Sequence, residues 1–178
     1  MTERPRPARI MIRPAVPADA HAVARIYNQG IAERQATFET RPRTTEDVRS
    51  WLDQGRPFLV ATDEHDAVQG FARLTPYSTR KAYAGIGEHG IYVDPDARGN
   101  HIGLTLLNEL AEAAQTAGYH KLTSRIFTTN EASLRLHRRA GFTEVGIQRR
   151  HGRLDGEWKD TMLVERLLGE AAAGIRSS

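Results

Sequence analysis

The fold is decided by three consecutive segments: IGEHGIYV (residues 86–93), DPDARGNHIG (residues 94–103) and LTLLNELAEAA (residues 104–114). The first is typical of a mainly apolar strand, and the third places leucine and alanine along one face of a helix. The turn between them carries Gly99 and Gly103. Because the first N–H groups of a helix have no partner inside the helix, such a turn can direct free N–H groups at an anion. The three segments therefore predict a strand, a turn and a helix that can hold a phosphate group.

Two interpretations of this turn stay open on the residues alone. A glycine-bearing turn between a strand and a helix is more often only a turn. Arg98 favours an anion site, because it precedes the glycines and can meet phosphate charge there. A further group of arginines allows the same two interpretations, a solvated basic face or an anion site: Arg135, Arg138, Arg139, Arg149, Arg150 and Arg153.

The segments on either side complete an α/β (α+β) pattern. Before residue 86 the sequence predicts a strand at 10–13, a helix from Asp19 as N-cap to Gly30, a helix from Thr44 or Thr45, and a hairpin of strands at 58–61 and 68–74. After residue 114 it predicts a strand at 122–127, a helix at 131–139, a strand at 142–148 and a returning strand at 158–167. This order predicts a mixed, mostly antiparallel central sheet flanked by about four helices. We expect one domain over residues 10–168, with flexible ends at 1–9 and 169–178.

Composition excludes several kinds of protein. The 178 residues contain no cysteine, which excludes disulfides, thiolate metal sites and a covalent cysteine acyl-enzyme, and we expect no metal. The sequence shows no secretory signal and no run of about 18 apolar residues, so we expect a cytoplasmic protein with no membrane partner. The formal net charge is only +3, and aromatic residues do not alternate with the arginines. Nucleic acid is therefore not an expected partner.

Four motifs together resemble one known family. They are the turn at residues 98–103, the segment NEASLRLHRRAGF (residues 130–142), YN with ATFE (residues 27–28 and 36–39), and GEWKD (residues 156–160). Over residues 10–168 the chain is similar to the GCN5-related N-acetyltransferases (GNAT), and among them to the phosphinothricin and arsinothricin N-acetyltransferases. The resemblance implies the GNAT fold, acetyl-CoA as co-substrate, and acetyl transfer to the amino group of a small amino-acid-like molecule. It also implies a homodimer and a role in herbicide or antibiotic resistance.

The resemblance further implies roles for individual residues. The turn would bind the pyrophosphate of CoA, the preceding strand would align the pantetheine and the acetyl carbonyl, and the start of the second helix would bind the pantetheine arm. The implied cofactor-binding residues are Ile91, Tyr92, Val93, Arg98, Gly99, Asn100, His101, Ile102, Gly103, Leu104, Asn130 and Ser133. The expected substrate-binding residues are Phe38, Arg73, Tyr77, Ser78, Thr79 and Tyr83.

Glu88 and His137 are the catalytic candidates. Glu88 matches the general base proposed for the family, and His137 stands where many members carry a tyrosine thought to protonate the departing CoA sulfur. On the residues alone, Glu88 can equally be a solvent-facing carboxylate, and a lone histidine on a helix is more often a packed or capping group. With Glu88 as base, a neutral amine attacks the thioester directly and no acyl-enzyme forms.

His101 departs from the family pattern, because it replaces the middle glycine of the turn. If this position requires a positive φ, histidine adds strain of about 1 kcal/mol. Its side chain then either crowds the pyrophosphate or donates a hydrogen bond to it. Two further functions stay open: acetylation of another acceptor, such as methionine sulfoximine or a peptide N-terminus, and a CoA-binding module without catalysis.

Overall fold

The computed structural model describes residues 9–174. Its helices are α1 (Ala20–Glu33), α2 (Thr45–Leu52), α3 (Ile102–Thr116), α4 (Glu131–Arg139) and α5 (Glu170–Ala173). Its strands are β1 (Met11–Pro14), β2 (Phe58–Thr62), β3 (Val68–Pro76), β4 (Ile86–Val93), β5 (Lys121–Phe127), β6 (Thr143–Leu154) and β7 (Glu157–Leu167). Of the two ends expected to be flexible, residues 1–8 and 175–178 lie outside the described residues, and the short α5 occupies part of the second.

The strands form one sheet in the order β1-β2-β3-β4-β5-β7-β6. Strands β4 and β5 run parallel, and every other neighbouring pair is antiparallel. This arrangement confirms the predicted mixed, mostly antiparallel sheet. The single parallel pair needs a crossover connection, which α3 supplies between the two strands.

Helices cover both faces of the sheet. On one face, Leu106, Leu107 and Leu110 of α3 are fully buried, and burying each such side chain stabilises the fold by about 1.5–3 kcal/mol. On the other face, α1 buries Ile26 against Phe71 of β3. The sheet therefore separates two hydrophobic clusters, one under α3 and α4 and one under α1 and α2.

The starts of the first two helices differ in how their free N–H groups are satisfied. Thr44 is a true N-cap of α2, because its hydroxyl accepts from Asp47 N at 3.1 Å and the Asp47 carboxylate accepts from Thr44 N at 2.8 Å. The prediction that the Asp19 side chain caps α1 is wrong. Its carboxylate instead accepts from Val16 N at 2.8 Å and pairs with Arg13 at 2.8 Å. The preceding turn at Pro17–Asp19 places it there.

Two elements run further than the sequence predicts. Helix α1 continues through Gly30 to Glu33, and Gly30 does not end the helix but leaves room for the ring of Tyr92, which packs where a Cβ would lie. Strand β6 continues through an arginine-rich stretch to Leu154, with a register shift between Gln148 and Gly152. Almost all of β6 is exposed, so its sequence lacks the apolar alternation that predicts a strand.

Candidate active site

The parallel strands β4 and β5 separate into a fork. Their pairing extends only from Ile86 opposite Lys121 to Glu88 opposite Thr123, whereas β4 continues to Val93 along β3. The Ser124 hydroxyl donates to the His89 carbonyl at 3.0 Å where the strands part. Beyond this point the free edge of β4 has backbone groups that can pair with an extended ligand.

The turn before α3 faces this fork. His101 is the N-cap of α3 and has φ 59°, so the positive φ considered for this position is present. Gly99 is also left-handed, with φ 85°. The guanidinium of Arg98 contacts the Glu33 carboxylate at 2.9 Å, which ties the turn to the end of α1. The first N–H groups of α3 have no partner within the helix and are available to an anion.

A cleft of about 1170 Å³ joins the fork to the start of α3. Most of the predicted site residues line it: Phe38, Glu88, Ile91, Tyr92, Val93, Arg98, Gly99, His101, Ile102, Gly103, Leu104, Asn130, Ser133 and His137. The structure therefore brings together residues that are far apart in the sequence.

Six predicted residues do not line this cleft. The Asn100 side chain donates to the Ala97 carbonyl at 3.1 Å and so stabilises the turn from within. Arg73 stacks over Trp51, with its guanidinium carbon 3.8 Å from the ring centroid, and burial lowers the pKa of Arg73. The other four lie between β3 and β4, outside the lining of the cleft: Tyr77, Ser78, Thr79 and Tyr83.

Glu88 lies at the point of the fork and is partnered by an arginine. Adjacent strand residues point to opposite faces of a sheet, and His89 points towards α4, so Glu88 points to the face covered by α1 and α2. One of its carboxylate oxygens contacts Nη1 of Arg125 at 3.0 Å. The Glu88 side chain is 32% exposed, so the carboxylate can be reached from the cleft.

His137 lines the cleft but is almost fully buried, with 2% of its surface exposed. Its Nδ1 lies 2.8 Å from the Ser133 carbonyl and 3.4 Å from the Ser133 hydroxyl. Its Nε2 lies 2.9 Å from Nε2 of His89. Burial lowers the pKa of both rings, so both histidines are neutral at neutral pH.

Asn130 connects two walls of the cleft. Its side-chain oxygen accepts from Ser133 N at 3.2 Å and so caps α4, as the helix prediction required. Its side-chain nitrogen donates to the Gln35 carbonyl at 3.0 Å in the segment after α1. Both polar atoms of the amide therefore have protein partners, and the segment from Gln35 is held over the cleft.

The sequence predictions missed three polar residues around the fork: His89, Arg125 and Gln148. Arg125 had a visible signal, because it is the one charged residue in the predicted strand at 122–127. Gln148 could not be found in this way, because its contact with Arg125 depends on the order of the strands.

Within residues 9–174 no group of three or more His, Asp or Glu side chains is placed to hold a metal ion. In the same described range no helix is long and apolar enough to cross a membrane.

The sheet, its forked parallel pair and the helix that starts opposite the fork together form the fold of the GCN5-related N-acetyltransferases. Comparison with known proteins agrees with this, because the model of the Acetyltransferase (GNAT) family matches residues 25–142. The chain belongs to the Acetyltransferase (GNAT) family.

Several relatives are similar over nearly their whole length. A phosphinothricin N-acetyltransferase of Streptomyces coelicolor is 38% identical, over 92% of this chain and 99% of the relative. An L-methionine sulfoximine/L-methionine sulfone acetyltransferase of Pseudomonas paraeruginosa is 34% identical, over 86% of this chain and 92% of the relative. A crystal structure of a GNAT superfamily phosphinothricin acetyltransferase from Sinorhizobium meliloti in complex with acetyl-CoA is 32% identical, with a TM-score of 0.86 over 95% of this chain and 94% of that one.

Proposed function

We propose that this enzyme transfers the acetyl group of acetyl-CoA to the amino group of a small α-amino acid of the phosphinothricin or methionine sulfoximine type. The family supports N-acetyl transfer and acetyl-CoA as the donor. The names of the relatives support the acceptor class. The observation that carries the proposal is the position of Glu88, at the point of the β4–β5 fork and in the same cleft as the start of α3.

The cleft fits a long phosphorylated cofactor. The free N–H groups at the start of α3 would bind the diphosphate, with Arg98 and Arg139 supplying positive charge in the same cleft. The free edge of β4 at Ile91, Tyr92 and Val93 would pair with the pantetheine arm as an added strand. Acetyl-CoA supplies an activated acetyl thioester at the fork.

The residues of the fork would then carry the proton transfers. Glu88 takes the proton of the substrate ammonium, so that a neutral amine attacks the carbonyl while both substrates are bound. The N–H groups of β4 polarise the carbonyl oxygen. The Ser133 hydroxyl lines the cleft and would donate a hydrogen bond to the departing sulfur, and Nδ1–H of His137, 3.4 Å from the hydroxyl oxygen, orients it. Because His137 is neutral, the sulfur leaves as a thiolate and takes its proton from water.

Thiol release from acetyl-CoA, measured with phosphinothricin, arsinothricin and L-methionine sulfoximine, tests the proposal. Glu88→Gln should lower kcat by about 10²–10⁴-fold, because the amide keeps the size of the carboxylate but cannot accept the proton. Glu165→Gln is the matched control: Glu165 is 30% exposed, pairs with Lys121 in the same sheet, and lies outside the cleft lining. Equal rates for both variants, or no thiol release from any amine, would overturn the assignment. Parallel double-reciprocal plots would contradict direct transfer.

The proposal includes a homodimer formed through the β6–β7 hairpin. This hairpin ends the sheet and exposes Val145, Ile147 and Trp158, each about half accessible. An exposed edge strand with apolar side chains can pair with a second copy of itself. Light scattering should give the dimer mass for the intact chain and for Val16→Glu, and the monomer mass for Ile147→Glu. A monomeric intact chain would refute the dimer.

Cytoplasmic location and a role in resistance stay predictions from the family resemblance.

A further inference from the structure

Arg125 is held rigidly at the fork. Its Nη1 contacts Glu88 Oε1 at 3.0 Å, and its Nε donates to Gln148 Oε1 at 3.2 Å. The same oxygen of Gln148 accepts from the hydroxyl of Thr161, which is fully buried. A buried hydroxyl on β7 thus orients Gln148 on β6, and Gln148 fixes the plane of the guanidinium.

Most of the hydrogen-bonding capacity of Arg125 is unused. A guanidinium has five N–H donors, and the contacts with Glu88 and Gln148 use two of them. Across the part of the chain that the structure describes, no other side chain pairs with Arg125. Because Arg125 lines the cleft, the remaining N–H groups on Nη1 and Nη2 are available to a molecule bound there.

Stability does not explain this ion pair. Both side chains are about one-third exposed, and ion pairs of this kind contribute about 0–1 kcal/mol. The other two arginines that line the cleft, Arg98 and Arg139, are assigned to the diphosphate at the start of α3. Arg73 stacks on Trp51 and lies outside the lining. Arg125 is the cation in contact with the proposed base.

We propose that Arg125 binds the α-carboxylate of the acceptor, while Glu88 binds its α-ammonium group. This inference rests on the proposed function and names the residue that selects α-amino acids. The two charges of an α-amino acid are joined through one carbon, so they can lie side by side against the adjacent, opposite charges of Glu88 and Arg125. Arginine is suited to this role because its planar N–H groups match a carboxylate at two points.

Binding of the carboxylate also changes the state of the base. In the structure one oxygen of Glu88 accepts from Arg125. A substrate carboxylate bound to the free N–H groups of Arg125 offsets the positive charge of the guanidinium and weakens its contact with Glu88, so the Glu88 oxygen becomes available for the ammonium proton. An amine without a carboxylate leaves the ion pair closed. Arg125 therefore selects against simple amines both in binding and in the availability of Glu88.

The test compares two acceptors that differ only in the carboxyl group: L-methionine sulfone and the corresponding amine without it. Arg125→Met should raise KM for L-methionine sulfone by about 10–100-fold, the loss expected for a charged hydrogen bond. It should leave kcat/KM for the simple amine unchanged or higher. Arg125→Lys keeps the charge without the two-point geometry. Its KM for L-methionine sulfone should lie between the KM of the intact chain and that of Arg125→Met. Equal losses for both acceptors would overturn the proposal.

Controls distinguish a failure of the proposed role of Arg125 from misfolding of a variant and from a failure of the proposed function. Arg49→Met removes an arginine that pairs with Glu46 on α2 and lies outside the cleft lining, so it should behave as the intact chain. Melting temperatures identify any variant that is unfolded. If the intact chain acetylates no amine, the proposed function fails, and calorimetry with L-methionine sulfone then tests Arg125 alone. Arg125→Met and Arg125→Lys should both bind it more weakly than the intact chain, and equal affinities would refute the assignment.

Discussion

Nε2 of His89 lies 2.9 Å from Nε2 of His137, in a buried and stacked pair that joins β4 to α4. Nδ1 of His137 faces the Ser133 carbonyl at 2.8 Å, and a carbonyl can only accept, so this nitrogen carries the proton. In the neutral pair, Nε2 of His137 therefore accepts from Nε2–H of His89. Nδ1 of His89 is left without a partner among residues 9–174. A single hydrogen bond thus fixes the tautomers of both rings.

The histidine pair should make the protein sensitive to mild acid. Burial lowers the pKa of both rings below 6.5, with a further contribution at His89 from the His137 charge, so the folded state binds fewer protons than the unfolded state. The free energy of unfolding should therefore be highest above about pH 6.5 and fall as the pH drops below it. Carboxyls with lowered pKa values, such as Asp19, lose their contribution at lower pH. Urea denaturation from about pH 8 to about pH 5 measures the slope.

His89→Gln should make that slope shallower, because one of the two buried rings no longer has to take up a proton on unfolding. His65→Gln is the control, since the His65 side chain is 82% exposed. An unchanged slope in His89→Gln would contradict the assignment.

The proposed hydrogen bond to the departing sulfur should appear as non-additivity. If His137 acts by orienting the Ser133 hydroxyl, then Ser133→Ala and His137→Gln each remove the same hydrogen bond and each lower kcat. The double variant should then be no slower than the slower single variant, because groups that act as one unit do not contribute independently. Thiol release under saturating acetyl-CoA measures kcat. Losses that multiply in the double variant would show that the two residues act separately.

Replacing His101 by glycine should relieve backbone strain and stabilise the fold. Its φ of 59° is left-handed, which disfavours residues other than glycine by about 1–2 kcal/mol. His101→Gly should raise the free energy of unfolding by about 0.5–1 kcal/mol, because the added freedom of the unfolded chain offsets part of the gain. Gly99→Ala should lower it by about 1 kcal/mol, since φ is 85° and the new Cβ meets no atom within 4 Å. Urea denaturation measures both, and a destabilised His101→Gly variant would contradict this account.

Gly30 should tolerate no side chain. A Cβ there would lie 2.7 Å from the Tyr92 ring, which is packed against Tyr27 and Phe71. Gly30→Ala should therefore lower the free energy of unfolding by about 1–3 kcal/mol through overpacking. Gly146→Ala is the matched control, because no atom lies within 4 Å of its Cβ position. Thermal denaturation distinguishes the two, and equal melting temperatures would show that the ring can move.

Local sequence patterns predicted the bounds of a helix or strand correctly wherever residues close in the sequence determine those bounds. The helix Glu131–Arg139 begins after Asn130 as predicted, because an asparagine cap and an amphipathic segment act within a few residues. The end of α1 and the length of β6 could not be predicted in the same way. Gly30 makes room for a distant tyrosine ring and does not end α1, and the length of β6 depends on pairing with β7 at an exposed edge.

The sequence by itself determined the kinds of element and the mixed sheet, because turn glycines, helix caps and apolar periodicity are properties of short segments. The family followed from the resemblance of four motifs to known N-acetyltransferases. It also placed Glu88 and the turn at residues 98–103 within one strand-turn-helix unit. Only the tertiary structure decided that the strands part at Glu88, that Arg125 meets it there, and that His89 pairs with His137. These contacts join residues at least 37 positions apart, so they depend on the packing of strands and helices and not on local sequence.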